Sequence, residues 1–266
     1  MSPVKVFGRA ISTNVSRVLV CLEEVGADYE LVTVDFLAGE QNSPEHVERN
    51  VTEFLQLFFS VIFHMYVSAS TVIHSGCHLS FSAAIWEDPC SAGRGPRLVR
   101  FSCSKCKLTS PLFSESRAIA KYILRKYKSS EVDLLRESDI GEAALVDVWT
   151  EVEAHQYYPA LSPIVFECII FPIMRGVPTN QQVVDESLEK LKKVLETYEA
   201  RLSASRYLAG DFLSFADLNH FPFTYYFMAT PYASLFDAYP HVKAWWEGLM
   251  SRPSIKKISA NMPTKF

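Results

Sequence analysis

The hydrophobic period of the chain changes twice within its first 36 residues, and that change limits what it can fold into. Val4-Lys5-Val6-Phe7 is short and β-prone. Val15, Val18, Leu19 and Leu22 then recur at i, i+3, i+4 and i+7, which is one face of a helix. Ser12 or Thr13 stands where the helix would be capped, and Gly26 where it would end. From Glu30 to Phe36 the alternation returns through Leu31, Val32, Thr33 and Val34, as in a second strand. Strand, helix and strand in so short a span form a βαβ unit, which requires a crossover and hence a parallel pair.

The region from about residue 115 onward reads as helical throughout. Ser116 to Tyr127 opens on a capping residue and carries Ile119, Tyr122 and Ile123 on one face. Glu142 to Tyr158 is predicted as a longer helix with an acidic exterior. Asn180 to Leu202 repeats Val183, Val184, Leu188, Leu191, Leu195 and Tyr198 at helical spacing. Ser214-Phe215-Ala216-Asp217 has the spacing of a capping box. Pro240 to Arg252 places Val242, Trp245, Trp246 and Leu249 on one buried face, so the tryptophan pair reads as core. The expected fold class is therefore α/β plus all-α: a small α/β domain followed by a helical one.

Composition narrows the function classes. A chain of 266 residues, 48% hydrophobic and 21% charged, is long enough for one large or two ordinary domains with a sizeable core. A net charge of −4 and a pI near 6.0 give no electrostatic footprint for nucleic acid. Met1 to Arg9 leads into a strand pattern and not an apolar run, so no signal peptide is expected. The six cysteines, Cys21, Cys77, Cys90, Cys103, Cys106 and Cys168, impose no disulfide framework, and a reducing compartment follows. Cys103-Ser104-Lys105-Cys106 has metal or redox spacing, with Cys77, Cys90, His64, His74 and His78 upstream. A structural zinc site commonly takes two tight ligand pairs and only one is present, so no metal is expected.

The zone between the two halves is anomalous. From Val51 to Ala84 the only charged residue is Glu53. Phe54 to Ile73 has the length of a membrane span, but lacks flanking basic clusters and contains six Ser, Thr, Gln or His residues. No membrane partner is expected. Residues 85–110 are rich in Gly, Pro, Arg, Ser and Cys and show no period.

The flanks of that zone resemble one family in order. SPVKVFGRAISTNVSRVLVCLEEVGADYELVTVDF, AGEQNSPEHVERN and ESRAIAKYILRKY are similar to the amino-terminal domain of plant phi-class glutathione transferases. ALVDVWTEVEAHQY, VVDESLEKLKKVLETYEARL, YLAGDFLSFADLNH and ATPYASLFDAYPHVKAWWEGLMSRPS resemble the helical domain of the same class. The resemblance implies a thioredoxin-like domain over 1–128, interrupted by an anomalous segment at 51–114, and a helical domain over 139–266 bearing a hydrophobic acceptor site. After Arg49-Asn50 the family continues approximately Pro-Phe-Gly-Lys-Ile-Pro-Ala-Leu-Gln-Asp-Gly-Asp-Leu, and this chain does not. Residues 85–96 can nevertheless be back-translated so that a one-base shift reads Phe-Gly-Lys-Ile-Pro-Ala-Leu-Gln-Asp-Gly-Asp. The interval thus resembles translated intron followed by frame-shifted exon; the rival reading is a lineage-specific insertion.

The resemblance also implies the chemistry. A glutathione transferase conjugates reduced glutathione to hydrophobic electrophiles, a detoxification reaction in which glutathione is a co-substrate and no cofactor takes part. Ser12 is assigned as the catalytic donor that stabilises the thiolate, with Thr13 next to it as the fallback. A hydroxyl at a helix amino end suits an anion through its hydrogen bond and the helix dipole; from the residues alone, a plain cap is the favoured reading of the same serine, and the resemblance turns it to catalysis. Glu115 and Ser116 are expected at the γ-glutamyl end of glutathione, and Gln41 and Asn42 at its glycyl carboxylate. Ile11, Phe36, Leu37, Phe166 and Ile170 are expected to form the apolar acceptor site. A cytoplasmic homodimer is implied. The family's cis-proline loop has no counterpart in 51–114, which bears on whether the chain is active. The alternatives are a non-catalytic carrier of hydrophobic ligands and an inactive splice or gene-model product.

Overall fold

The structure is a computed structural model that describes residues 3–35, 38–40, 43 and 115–263. The expectations for Phe36, Leu37, Gln41, Asn42, the Phe54–Ile73 stretch and the Cys103–Cys106 pair fall outside the described residues.

The opening βαβ unit forms as its periods require. Strand β1 (Val4–Phe7) pairs in parallel with β2 (Tyr29–Val32), in the register Val4↔Tyr29 to Phe7↔Val32. Helix α1 (Thr13–Glu24) makes the crossover, and Ser16 through Leu22 are all buried. Gly26 follows it with φ +63°, the left-handed conformation glycine adopts at least cost. Gly8 leads into the loop before α1 with φ +140°, where a Cβ would lie 2.5 Å from Val15 Cγ2. The second strand is shorter than its alternation predicts: ladder pairing ends at Val32, and Thr33 to Asp35 continue without it.

Helix α2 (Ser116–Lys126) packs against α1. Ser116 is its first residue, not its cap; Glu115 holds the cap position and its side chain makes no capping bond.

The helix expected over 142–158 is in fact one continuous helix, α3, from Ile140 to Arg175. Three prolines, Pro159, Pro163 and Pro172, fall within it, and the backbone accommodates them. At Glu153–Tyr157 and at Phe166–Ile170 the helix widens into π-turns. Tyr158 N–H reaches back five residues to Glu153 O, and Phe171 N–H likewise to Phe166 O. The next residue in each case is a proline, Pro159 or Pro172, whose missing N–H interrupts the ordinary ladder. By length and composition α3 could cross a membrane. Here Val146, Trp149, Tyr157, Leu161, Ile164 and Ile169 lie buried in the protein core.

Helix α4 (Gln181–Ala204) is capped by Asn180, which accepts from Val183 N–H, and buries Val184, Leu191, Leu195, Tyr198 and Leu202. Helix α5 (Phe215–Phe227) is almost wholly buried, and α6 (Pro240–Met250) buries Val242, Trp245, Trp246 and Leu249 as its period requires. A short helix α7 (Pro253–Ser259) packs back on α1. Residues 3–35, 38–40 and 115–263 belong to one compact unit.

Candidate active site

The site is built at the amino end of α1, where the chain leaves β1. Ser12 occupies the cap position in an extended conformation, and its side chain makes no capping bond. Its backbone N–H donates to Arg9 O at 2.9 Å, and its carbonyl accepts from Ser16 N–H at 2.8 Å. The hydroxyl therefore caps nothing and makes no hydrogen bond among the described residues. The cap reading that sequence left open is not the one the side chain adopts. Next to it, Ile11 is 42% exposed, and its carbonyl accepts from Tyr226 Oη on α5. That bond ties the loop between β1 and α1 to α5.

The second part of the site is the junction of α1 with α2. Arg17 Nη1 donates to Ser116 Oγ at 2.7 Å and to Asn14 Oδ1 at 3.1 Å. Ser116 Oγ donates in turn to Asn14 Oδ1 at 3.1 Å. Arg17 is 1% exposed, and burial lowers its pKa to about 10. Glu115 is exposed at the mouth of the same helix end.

Behind Ser116 lies a buried ionic cluster. Arg117 donates Nε and Nη2 to Glu153 Oε2, at 2.9 and 2.7 Å, and Asn219 Nδ2 donates to the same oxygen at 2.6 Å. Glu153 is 1% exposed and stands in the first π-turn of α3. The irregular turn thus delivers a buried carboxylate that anchors α2 to α3, alongside the more exposed pair of Lys121 Nζ with Asp147 Oδ1 at 2.7 Å.

An aromatic series runs from this cluster toward Phe166. The Arg117 guanidinium lies 5.6 Å from the centre of the Tyr158 ring. Tyr158 meets Phe223 edge-on at 4.7 Å, and Phe223 lies 6.5 Å from Phe166. Phe166 and Ile170 bracket the second π-turn and are partly buried against the core. Phe223 and Tyr226 share α5, so Ile11 and Phe166 are joined through one buried helix. Tyr226 is buried, and that burial pushes its phenol up to about 12, so it stays protonated and donating. Among the described residues no group of three His, Cys, Asp or Glu side chains gathers as a metal-ligand set.

Of the expected site residues, the structure places Ser12 and Ile11 together at the entry to α1, Glu115 and Ser116 at the entry to α2, and Phe166 and Ile170 on α3. Asn14, Arg17, Arg117, Glu153 and Tyr226 were not foreseen. One signal was available for Arg17: it lies within the apolar run of α1, which offers no acid before Glu23. Glu153 and Tyr226 had no local signal, because each is defined by a partner remote in sequence.

Comparison with known proteins identifies the family. Two family models match, "Glutathione S-transferase, N-terminal domain" over residues 2–55 and "Glutathione S-transferase, C-terminal domain" over residues 157–253. "Probable glutathione S-transferase GSTF1" of Oryza sativa subsp. japonica is 58% identical over 262 residues, spanning 98% of each chain. "Glutathione S-transferase 1" of Triticum aestivum is 52% identical and spans all of this chain and 97% of its own. Among solved structures, glutathione S-transferase I bound with lactoylglutathione superposes with a TM-score of 0.72 at 43% identity, covering 98% of this chain and 100% of the other. Poplar glutathione transferase F7, from Populus trichocarpa, gives 0.72 at 40% identity, covering 97% and 99%. Thioredoxin-like and helical glutathione transferase domains, the order of the motifs and the two helix entries converge: this chain belongs to the plant phi class of the glutathione S-transferase family.

Proposed function

We propose that Ser12 is the residue through which this glutathione transferase activates its thiol. The observation that carries the assignment is the uncommitted Ser12 hydroxyl at the amino end of α1. A free cysteine thiol has a pKa of about 8.5, so only a few per cent is thiolate at neutral pH. A donor aimed at the sulfur, together with the α1 dipole, favours the anion. The proton leaves to solvent, and the thiolate sulfur attacks the electrophilic carbon. The carbon–sulfur bond forms as the carbon–leaving-group bond breaks, and the leaving group departs with its electron pair. Reduced glutathione is a co-substrate, and no step calls on a metal or a cofactor.

Ser116 and the α2 amino end take the γ-glutamyl carboxylate, since helix amino ends bind anions. Exposed Glu115 pairs with the α-amino group. Gln41 and Asn42 serve the glycyl carboxylate as neutral donors. Ile11, Phe166 and Ile170, with Phe36 and Leu37, form the apolar acceptor surface. A solved relative, glutathione S-transferase I from maize, is described in complex with an atrazine glutathione conjugate. An aromatic electrophile of that kind fits a surface of Phe, Ile and Leu. The protein works in the cytoplasm as a homodimer, with the small domain of one subunit against the helical domain of the other. The experiment is direct: the full chain is assayed with glutathione and chlorodinitrobenzene, with glutathione binding followed by calorimetry. Binding with turnover supports the reading. Binding of an amphipathic dye with no turnover would instead support a ligand carrier.

A further inference from the structure

Arg17 has no part in the thiol chemistry, and its burial is costly. Its Nε has no partner among the described residues. The carboxylate that acts on it is Glu153, which is already committed to Arg117 and Asn219. Two guanidiniums thus share one carboxylate, and an uncompensated positive charge is buried behind the amino end of α2. A buried charge without its own counter-ion is expensive unless something else uses it.

Arg17 does hold Ser116. A serine hydroxyl has one proton to give and two lone pairs. In the structure that proton goes to Asn14 Oδ1, while Arg17 Nη1 occupies a Ser116 lone pair and also supplies Asn14 with a donor. The Ser116 proton is therefore free to swing to an incoming anion without leaving Asn14 unpartnered. The guanidinium also polarises the hydroxyl into a stronger donor.

We propose that Arg17 is the positioning residue of the γ-glutamyl subsite: it holds Ser116 Oγ and sets a buried positive charge behind it, so that the hydroxyl and the α2 amino end receive the α-carboxylate of the γ-glutamyl group. This rests on the reading of Ser116 as a glutathione-binding residue.

The test separates Arg17 from that reading. The full chain and its Arg17→Met variant are each titrated calorimetrically with glutathione and with γ-aminobutyryl-cysteinylglycine, which is glutathione without that one carboxylate. Losing a charge-assisted interaction predicts glutathione affinity lower by roughly ten- to a hundredfold, with the truncated peptide changed by less than about twofold. A role confined to holding up the fold would weaken both peptides alike, and that result overturns the proposal. Should Arg17→Met fail to fold, Arg17→Lys keeps a buried cation on a single shorter arm. The same criterion applies to it: selective loss supports the proposal and equal loss overturns it. An unsubstituted chain that binds the two peptides equally overturns the Ser116 subsite, and one that binds neither overturns the glutathione reading with it.

Discussion

Arg252 holds Glu24 with two nitrogens, Nε on Oε1 at 2.7 Å and Nη2 on Oε2 at 2.6 Å. Glu24 is the last residue of α1, and Arg252 stands between α6 and α7. Ser254 Oγ donates to the same carboxylate. The helix that Ser12 precedes is thus fastened at its other end by the C-terminal helices. The Glu24 side chain is 7% exposed and that of Arg252 30%. Arg252→Met leaves the carboxylate with Ser254 alone, and we expect a loss of about 1–3 kcal/mol, below the range for a fully buried pair because Arg252 is partly solvated. Urea unfolding checks it; an unchanged midpoint would sink the clamp.

Asp217 gathers four donors in the core. Leu208 N–H and Trp245 Nε1 reach one oxygen, and Ser214 N–H and Oγ the other, all within 3.0 Å. Burial pushes its carboxyl up from the usual range, while the four donors pull it back. Asp217→Ala strands those donors, and we expect at least about 3 kcal/mol of destabilisation. Trp245 is itself one of the donors, so its fluorescence reports the change along with the denaturation midpoint.

His220 gives the protein an acid limit. Its Nδ1 lies 2.7 Å from the Ala216 carbonyl, which can only accept, so Nδ1 carries the proton and Nε2 accepts from Tyr198 Oη at 2.9 Å. Burial holds its pKa down at about 3. The unfolded chain protonates this histidine near pH 6.5 and the folded chain does not. Stability is therefore complete above about pH 6.5 and falls as pH drops toward 3, by at most about 1.4 kcal/mol per unit. A His220→Gln variant should show a shallower slope over that window than the parent, measured as unfolding free energy against pH.

Ser12→Ala should lower turnover on the order of a hundredfold or more while leaving unfolding unchanged, because the hydroxyl supports no structural bond. The pH profile of turnover should move upward as the bound thiol loses its donor. Thr13 is the fallback, so the double variant is measured as well. Unchanged turnover in both variants would remove the hydroxyl from the mechanism.

What was legible in the sequence was local. The periods of α1, α4 and α6, the capping box at Ser214 and the serine before α1 are written in short runs, and the residues that fill them are buried where the period puts them. What was hidden depends on partners far along the chain. Ser116 read as a cap, but its hydroxyl is drawn to Asn14 and Arg17 instead. Glu142 to Tyr158 read as a complete helix, and its continuation past Pro159, Pro163 and Pro172 to Arg175 was not foreseen. Backbone carbonyls five residues back absorb the effect at two of them, a choice set by packing and not by local propensity. Tyr226 joining Ile11 spans most of the chain, and no window of sequence contains both.

The two π-turns of α3 have a consequence for length. Each holds one residue more than an ordinary helical turn, so each is a place where the helix can lose a residue and close up in phase. His155 and Gln156 are exposed within the first such turn, between buried Glu153 and Tyr157. Deleting Gln156 should leave Phe166 and Ile170 on the same face as before. Deleting a residue in the regular stretch before it, at Leu145 for example, would turn everything beyond by about 100° and carry Phe166 and Ile170 off that face. Length variation within this helix is tolerable only at its two loosest turns, the ones that hold Glu153 and the Phe166–Ile170 span.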